Sequence, residues 1–305
     1  MSRKGMAVLA AVLVIPMIGG MGRPAWAQET EAAGAETEAV PMPEMSYEEY
    51  PRIDGSLACV PLCEALAVRL TGCTDAQAEE TMADFTNTNP SYLQLAEGKT
   101  DILLVYEAAQ STKEALEEYE PLDMEPVGKD ALVFLVNEDN PVESLTKEQL
   151  FDIYTGKITN WKEVGGEDAQ ILAFQRPETS GSQTMMRSLL IGDARMAEAK
   201  TELIASGMDD IIEALTEYDN SANALGYSVY YYASEMFRQP GLKFLRVENV
   251  EPSNETIREG EYPLVNAFYC VTNEQSSERA KEIQAWLLSE EGQAFVEECG
   301  YVAAR

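Results

Sequence analysis

The decapeptide QRPETSGSQT (Gln175 to Thr184) lies between a strand-like run, QILAF at 170–174, and a helical stretch that begins near Ser182. In open α/β sheets, ligands sit at the carboxyl ends of strands, where helix N-termini present amides that no preceding turn can satisfy. An arginine followed by Ser-Gly-Ser at such a junction supplies a permanent cation, two hydroxyl donors and a glycine that allows close backbone approach. These are the parts of an oxyanion site. The same string also reads as an ordinary helix start, with Ser180 as the cap, Gly181 turning the loop and Arg176 paired with a surface acid. On the local string alone both readings stand.

Working outward, short apolar runs alternate with amphipathic stretches. A helix is expected after Pro61, a strand at 101–105, a helix at 111–118 and a strand at 131–136. A second series follows: a helix at 146–154, the strand at 170–174, the helix after Ser182, and strands at 224–230 and 242–247. Such alternation indicates an α/β fold with helices packed on a largely parallel sheet. The strand-like run 264–272 and a terminal helix at 276–299 are expected to return to the first series. The chain is longer than one core usually holds, so two lobes are expected, with two crossings forming a hinge. Lobe I is placed at 47–130 plus 262–305 and lobe II at 131–261. Two further junctions resemble the first: DGSLACVP at 54–61, with Pro61 suited to a first helical turn, and FTNTNPSY at 85–92, where Thr88 and Asn89 precede Pro90. Three such loops converging between two lobes would line a cleft. The tyrosines at 227 and 230–232 read mainly as core, with Tyr227 able to approach that cleft.

The composition removes several function classes. The chain has 22 basic and 53 acidic residues, a formal net charge of −31, and no histidine. So acidic a chain is a poor partner for nucleic acid or anionic membranes. Without histidine there is no Ser-His-Asp triad and no His-bearing metal site. An anion would have to be held by local donors in a water-poor cleft, aided by screening over a Debye length of ~8 Å at physiological salt. Arg3 and Lys4 precede an apolar run from Met6 to Ile18, and Ala25-Trp26-Ala27 follows, the pattern of a cleaved secretory leader at 1–27. The protein is expected to be exported, outside the cell or at its envelope, with no lipobox cysteine. Residues 28–46, acidic and proline-dotted, read as a flexible linker. Of the five cysteines (59, 63, 73, 270 and 299), Cys63–Cys73 or Cys270–Cys299 bridges and buried free thiols are all open.

Residues 129–186, KDALVFLVNEDNPVESLTKEQLFDIYTGKITNWKEVGGEDAQILAFQRPETSGSQTMM, closely resemble the phosphate-binding proteins of phosphate-specific ABC transporters (PstS type). DGSLACVPL at 54–62 and NSANALGYSVYYYA at 220–233 extend the likeness over nearly all of 50–305. The resemblance implies a two-lobed type II periplasmic-binding-protein fold that buries one dehydrated phosphate in an interlobe cleft. By motif, Arg176, Ser180, Gly181 and Ser182 match the family's Arg-x-x-x-Ser-Gly-Thr/Ser phosphate loop, and Thr88 falls where a first-lobe hydroxyl is expected. Cys59 and Val60 align with the first loop, where the family commonly has a threonine and an amide donor; cysteine is a weak donor. The family's carboxylate accepts the proton that phosphate carries and sulfate lacks, since an unpaired charge buried against a fully ionised oxyanion costs several kcal/mol. The usual aspartate is absent here, and Glu107, with a one-residue offset, is the nearest acid.

The expected function is therefore extracellular capture of inorganic phosphate for uptake by ABC-transporter permease subunits, by a monomer that needs no cofactor and is not an enzyme. A receptor or sensor for another oxyanion or a small phosphorylated solute is the alternative. An exported phosphatase using Ser180 or Ser182 lacks the base or metal that a serine nucleophile requires.

Overall fold

In a computed structural model of the chain, residues 40–199, 204, 205, 215 and 221–305 are described. The leader (1–27) and most of the expected linker lie outside them. The end of that linker packs: Pro43 and Met45 are buried, and the Met45 amide donates to the Leu70 carbonyl at 3.4 Å. That bond ties the segment to the end of the first helix.

The described strands are β1 (Ile53–Gly55), β2 (Ile102–Tyr106), β3 (Leu122–Asn137), β4 (Ser144–Leu145), β5 (Leu172–Ala173), β6 (Ala224–Val229), β7 (Leu242–Phe244), β8 (Arg246–Val247), β9 (Val265–Asn273) and β10 (Val302–Ala303). The described helices are α1 (Val60–Thr71), α2 (Asp75–Thr81), α3 (Thr88–Ala96), α4 (Gln110–Leu116), α5 (Lys147–Tyr154), α6 (Gly181–Met186), α7 (Asn254–Arg258), α8 (Glu278–Leu287) and α9 (Glu290–Glu298). The order β1-β2-β9-β3-β6-β5 forms the main path of the sheet.

Strand β3 organises the molecule. Its Leu122–Ala131 portion pairs antiparallel with β9, and its Leu132–Asn137 portion pairs antiparallel with β6 and then β7. One continuous strand thus serves both halves of this two-lobed α/β fold. The expectation of a largely parallel sheet is corrected: only β1–β2 and β5–β6 pair in parallel on the main path, while β2–β9, β9–β3 and β3–β6 are antiparallel. The first half of β3, LDMEPVGKD, hides itself from a pattern reading. It carries three acids, a proline and a glycine, and its register shifts between Pro126 and Gly128.

Local chemistry sets the element ends that matter for the site. Helix α1 has Pro61 in its first turn and ends at Gly72 in the left-handed region; it buries Leu62, Cys63, Leu66, Ala67 and Leu70 on one face. Thr146 caps α5 in a reciprocal arrangement with Gln149 and turns Leu150, Ile153 and Tyr154 inward. All five residues of β2 are buried. Each apolar side chain removed from water there contributes about 1.5–3 kcal/mol, so the loops at the ends of β2 rest on a rigid base. The expected terminal helix is divided in two at Leu288–Ser289, because Ser289 caps a new start by accepting from the Gly292 amide. All five cysteines are free, and Cys59, Cys63 and Cys270 are buried. Among the described residues no helix is long and apolar enough to cross a membrane, and no cluster of acidic or thiol side chains could hold a metal ion.

Candidate functional site

Strand β5 runs parallel beside β6, and the Phe174 amide still reaches the Leu225 carbonyl at 2.9 Å. Beyond that point the chain leaves the sheet and forms the 175–184 loop. Tyr227, fully buried on β6, holds both ends of it: its hydroxyl accepts from the Arg176 amide at 2.9 Å and donates to Gln183 Oε1. A turn closes when the Ser180 amide donates to the Pro177 carbonyl at 3.0 Å. Ser180 then caps α6, its Oγ accepting from the Gln183 amide at 3.4 Å. The same Oγ accepts from Arg176 Nε at 3.3 Å and stands 3.0 Å from Ser182 Oγ. Arg176, Ser180 and Ser182 are each 4% exposed or less. The cap reading and the anion-loop reading are therefore compatible: one serine closes the helix and joins the guanidinium to a second hydroxyl. The loop's own acid, Glu178, reaches outward to Arg187 at 3.0 Å.

The other two junctions meet this loop. Gly55, at φ 154°, has no Cβ, and one built there would stand 1.8 Å from the Leu104 carbonyl oxygen. That approach lets the Ser56 amide donate to Leu104 O at 3.0 Å and sets the Ser56 hydroxyl 2.8 Å from Thr88 Oγ1. Ser56 Oγ also accepts from the Tyr106 amide at 3.0 Å. A Cβ added at Gly181 would lie 2.5 Å from Thr88 Oγ1 and 3.3 Å from Tyr106 Cδ2. Thr88, Tyr106 and the start of α6 are thus in direct contact, and the glycine is what permits it. Asn89, the next residue along α3, donates through Nδ2 to the carbonyls of Glu178 at 3.3 Å and Thr179 at 3.1 Å.

Charge around this junction is arranged by burial. Asp130, 2% exposed, accepts from Tyr106 Oη at 2.6 Å, from the Ala131 amide at 2.7 Å and from the Tyr231 amide at 3.1 Å. Removal from water outweighs those donors, and its pKa is pushed up to about 6. Burial first, and the Asp130 charge second, drive the Cys59 thiol well above its ordinary range, so Cys59 remains a protonated thiol. Asp54 is raised by burial, against the opposing effect of donors from Thr86 and Gly55.

The residues singled out from sequence therefore fall in three groups. Arg176, Ser180, Gly181, Ser182 and Thr88 are gathered at one place. Cys59 and Val60 stand at the start of α1, just beyond Ser56; the Cys59 amide already donates to Ser56 O at 2.7 Å, and Val60 is only half-buried. Glu107 is outside the gathering: about a third of its side chain is exposed and it pairs with Lys113 at 2.5 Å. It lines a surface cleft of about 590 Å³ together with Lys113, Glu178, Thr184 and Arg187. Sequence reasoning left out Asn89, Tyr106 and Asp130 as site residues and gave Tyr227 chiefly to the core. Asparagine ahead of a proline at a helix start was a visible signal for Asn89 alone, since the others depend on which strands become neighbours.

A profile described as "PBP superfamily domain" matches residues 74–291. The phosphate-binding protein PstS of Bacillus subtilis (strain 168) is 31% identical over 168 residues, 55% of this chain and 53% of that protein. PstS of Borreliella burgdorferi is 28% identical over 179 residues, 58% of this chain and 64% of that protein. The matched part thus spans between half and two thirds of the length of these relatives. Among solved structures, a Clostridium perfringens protein assigned as a phosphate ABC transporter substrate-binding protein, with bound phosphate, superposes with a TM-score of 0.62 at 25% identity, covering 83% of this chain and 98% of that one. An ABC-type phosphate transport receptor from Vibrio cholerae superposes with a TM-score of 0.59 at 24% identity, covering 82% and 98%.

Proposed function

The chain belongs to the PBP superfamily, and from that premise we propose that it captures inorganic phosphate outside the cell and passes it to the permease subunits of an ABC transporter. The observation that carries this reading is the meeting of Arg176, Ser180 and Ser182 with Thr88 across Gly181. Groups of complementary character meet there: a guanidinium, three hydroxyls and the first-turn amides of α6, whose N–H groups have no preceding carbonyl. A dehydrated oxyanion replaces its water shell with such donors, and charge-assisted bonds to arginine are about twice as strong as neutral ones. The acidic surface of the whole chain opposes anions at long range, so selectivity rests on these buried donors.

Two carboxylates are candidates to accept the proton that hydrogen phosphate carries. Glu107 is the one implied by resemblance. Asp130 is the buried one, linked to the loop through the Tyr106 ring beside Gly181 and the Tyr106 hydroxyl. The lobes are taken as 47–130 plus 262–305 and 131–261, crossed by β3. The protein is read as an exported monomer that binds without turnover.

Calorimetric titration of residues 28–305, stripped of ligand by unfolding and refolding, tests the reading with phosphate and then sulfate, molybdate and a phosphonate at neutral pH. Tight phosphate binding without a sulfate response is expected. Silence toward phosphate, or equal response to all anions, sinks it. Glu107→Gln and Asp130→Asn in the same titration identify the proton acceptor as the variant that gains sulfate binding.

A further inference from the structure

Asn89, 5% exposed, is the most heavily bonded side chain at the contact between the 85–92 and 175–184 segments. Its Oδ1 accepts from the Ala109 amide at 2.7 Å and from Thr112 Oγ1 at 3.0 Å, both at the start of α4. Because a backbone N–H can only donate, the oxygen must face Ala109, and this settles which end of the amide is which. The NH2 group then faces the other segment, within reach of the carbonyls of Glu178 (3.3 Å) and Thr179 (3.1 Å) and of Thr184 Oγ1 (3.3 Å). Thr184 Oγ1 in turn donates to the Ser180 carbonyl at 3.2 Å.

We propose that Asn89 is a closure latch, a positioning residue whose amide grips the 178–184 segment of the second lobe when the anion loop is seated against Thr88. The division of labour within the side chain is the basis. Its oxygen is bonded within its own lobe and keeps the amide aimed, while its nitrogen bonds only across the gap. Parting the segments leaves the oxygen's bonds intact and breaks all of the nitrogen's. Thr88, which meets Gly181, and Asn89, which holds the two carbonyls just before Ser180, are consecutive residues of one helix turn, so seating one seats the other. The latch adds nothing to encounter with the ligand and acts on its escape. This inference rests on the proposed binding of an anion by the loop, but one of its two readouts does not.

Asn89→Asp separates the two ends of the amide. It keeps an acceptor for Ala109 and Thr112 and replaces the donors with a carboxylate facing two carbonyl oxygens. Asn89→Ala removes both ends and serves where the aspartate variant fails to fold. Stopped-flow phosphate binding is expected to show a dissociation rate raised about ten- to a hundredfold, the range set by losing one or two net hydrogen bonds plus a carbonyl left facing an acceptor, with the association rate within about threefold of the parent. Hydrogen exchange in the peptide spanning 178–184 is measured on ligand-free protein and is expected to be faster in both variants. A dissociation rate within twofold of the parent, in variants whose circular dichroism and unfolding midpoint match it, overturns the latch. If the parent binds no phosphate, the proposed function fails by itself, and unchanged exchange at 178–184 then overturns the latch independently.

Discussion

Replacing Gly181 with alanine inserts one methyl group at the contact between the two halves of the site. That methyl would stand 2.5 Å from Thr88 Oγ1 and 3.3 Å from Tyr106 Cδ2. The first distance is nearly an ångström inside normal contact, and the threonine hydroxyl has little room to yield, being 1% exposed and 2.8 Å from Ser56 Oγ. Overpacking of a filled site costs about 1–3 kcal/mol, and displacing the Thr88 hydroxyl from Ser56 adds about 1 kcal/mol. The strain is relieved if the two segments part, so the cost falls on the closed, ligand-bound arrangement. At about 1.4 kcal/mol per factor of ten, that sum of about 2–4 kcal/mol should lower phosphate affinity about thirty- to several-hundredfold. The ligand-free protein can relieve the strain by parting the segments, so its unfolding midpoint should fall by less than the binding loss implies, alanine being the better helix former by up to about 1 kcal/mol and Gly181 lying outside the left-handed region. Calorimetry with phosphate and thermal unfolding without it read the two effects separately. A Kd within twofold of the parent would refute the claim that Thr88 and α6 close on each other around the ligand.

Three further outcomes are expected. Arg176→Met, which keeps the buried stem and deletes the guanidinium near Ser180 Oγ, should weaken phosphate binding about tenfold or more, as loss of a charge-assisted bond requires; an unchanged calorimetric Kd would exclude Arg176 from the site. Asp130 carries its proton to about pH 6 when folded but only to about 3.9 when unfolded, so the native state holds more protons in that window and this group's effect is to lower stability as pH rises from about 4 to about 6. Asp130→Asn removes that dependence, and its urea-unfolding stability relative to the parent should improve by on the order of 2–3 kcal/mol between pH 4 and pH 7; a constant difference would refute the burial argument. Finally, a thiol reagent on native protein should label Cys73 and Cys299, which are partly exposed, and leave the buried Cys59, Cys63 and Cys270 unlabelled until unfolding; early loss of the Cys59 thiol would contradict its place in the core.

The geometry of the 175–184 junction was legible because its chemistry is local. Arg176, Ser180, Gly181 and Ser182 sit within seven consecutive positions of one strand-to-helix junction, and a capping serine can be recognised from the string itself. Thr88 was legible for the same reason at a second junction. The proline-led start of α1 and the capped start of α5 likewise follow from residues within one helical turn.

The partnerships between distant segments belong to the tertiary structure alone. The alternation of runs correctly indicated an α/β protein, yet strand direction depends on how chain segments return, and β3 pairs with β9 and β6 in the antiparallel sense. Its first half escaped notice because pairing with β9, supplied by a remote segment, holds Asp123, Glu125, Pro126 and Gly128 in a strand that no local pattern predicts. Glu107 was singled out as the nearest acid in sequence, whereas the structure puts it beside Lys113 and buries Asp130, from another strand, behind Tyr106. Tyr227 reads as a core residue from its apolar neighbours, and only the placement of β6 beside β5 carries its hydroxyl to Arg176 and Gln183. Sequence by itself determined the local donors, since a cap or a hydroxyl-bearing loop needs only its near neighbours along the chain. The protonation of Asp130, the grip of Asn89 and the approach of Thr88 to Gly181 were decided by folding, because desolvation and contact across the site exist only once remote segments share the same space.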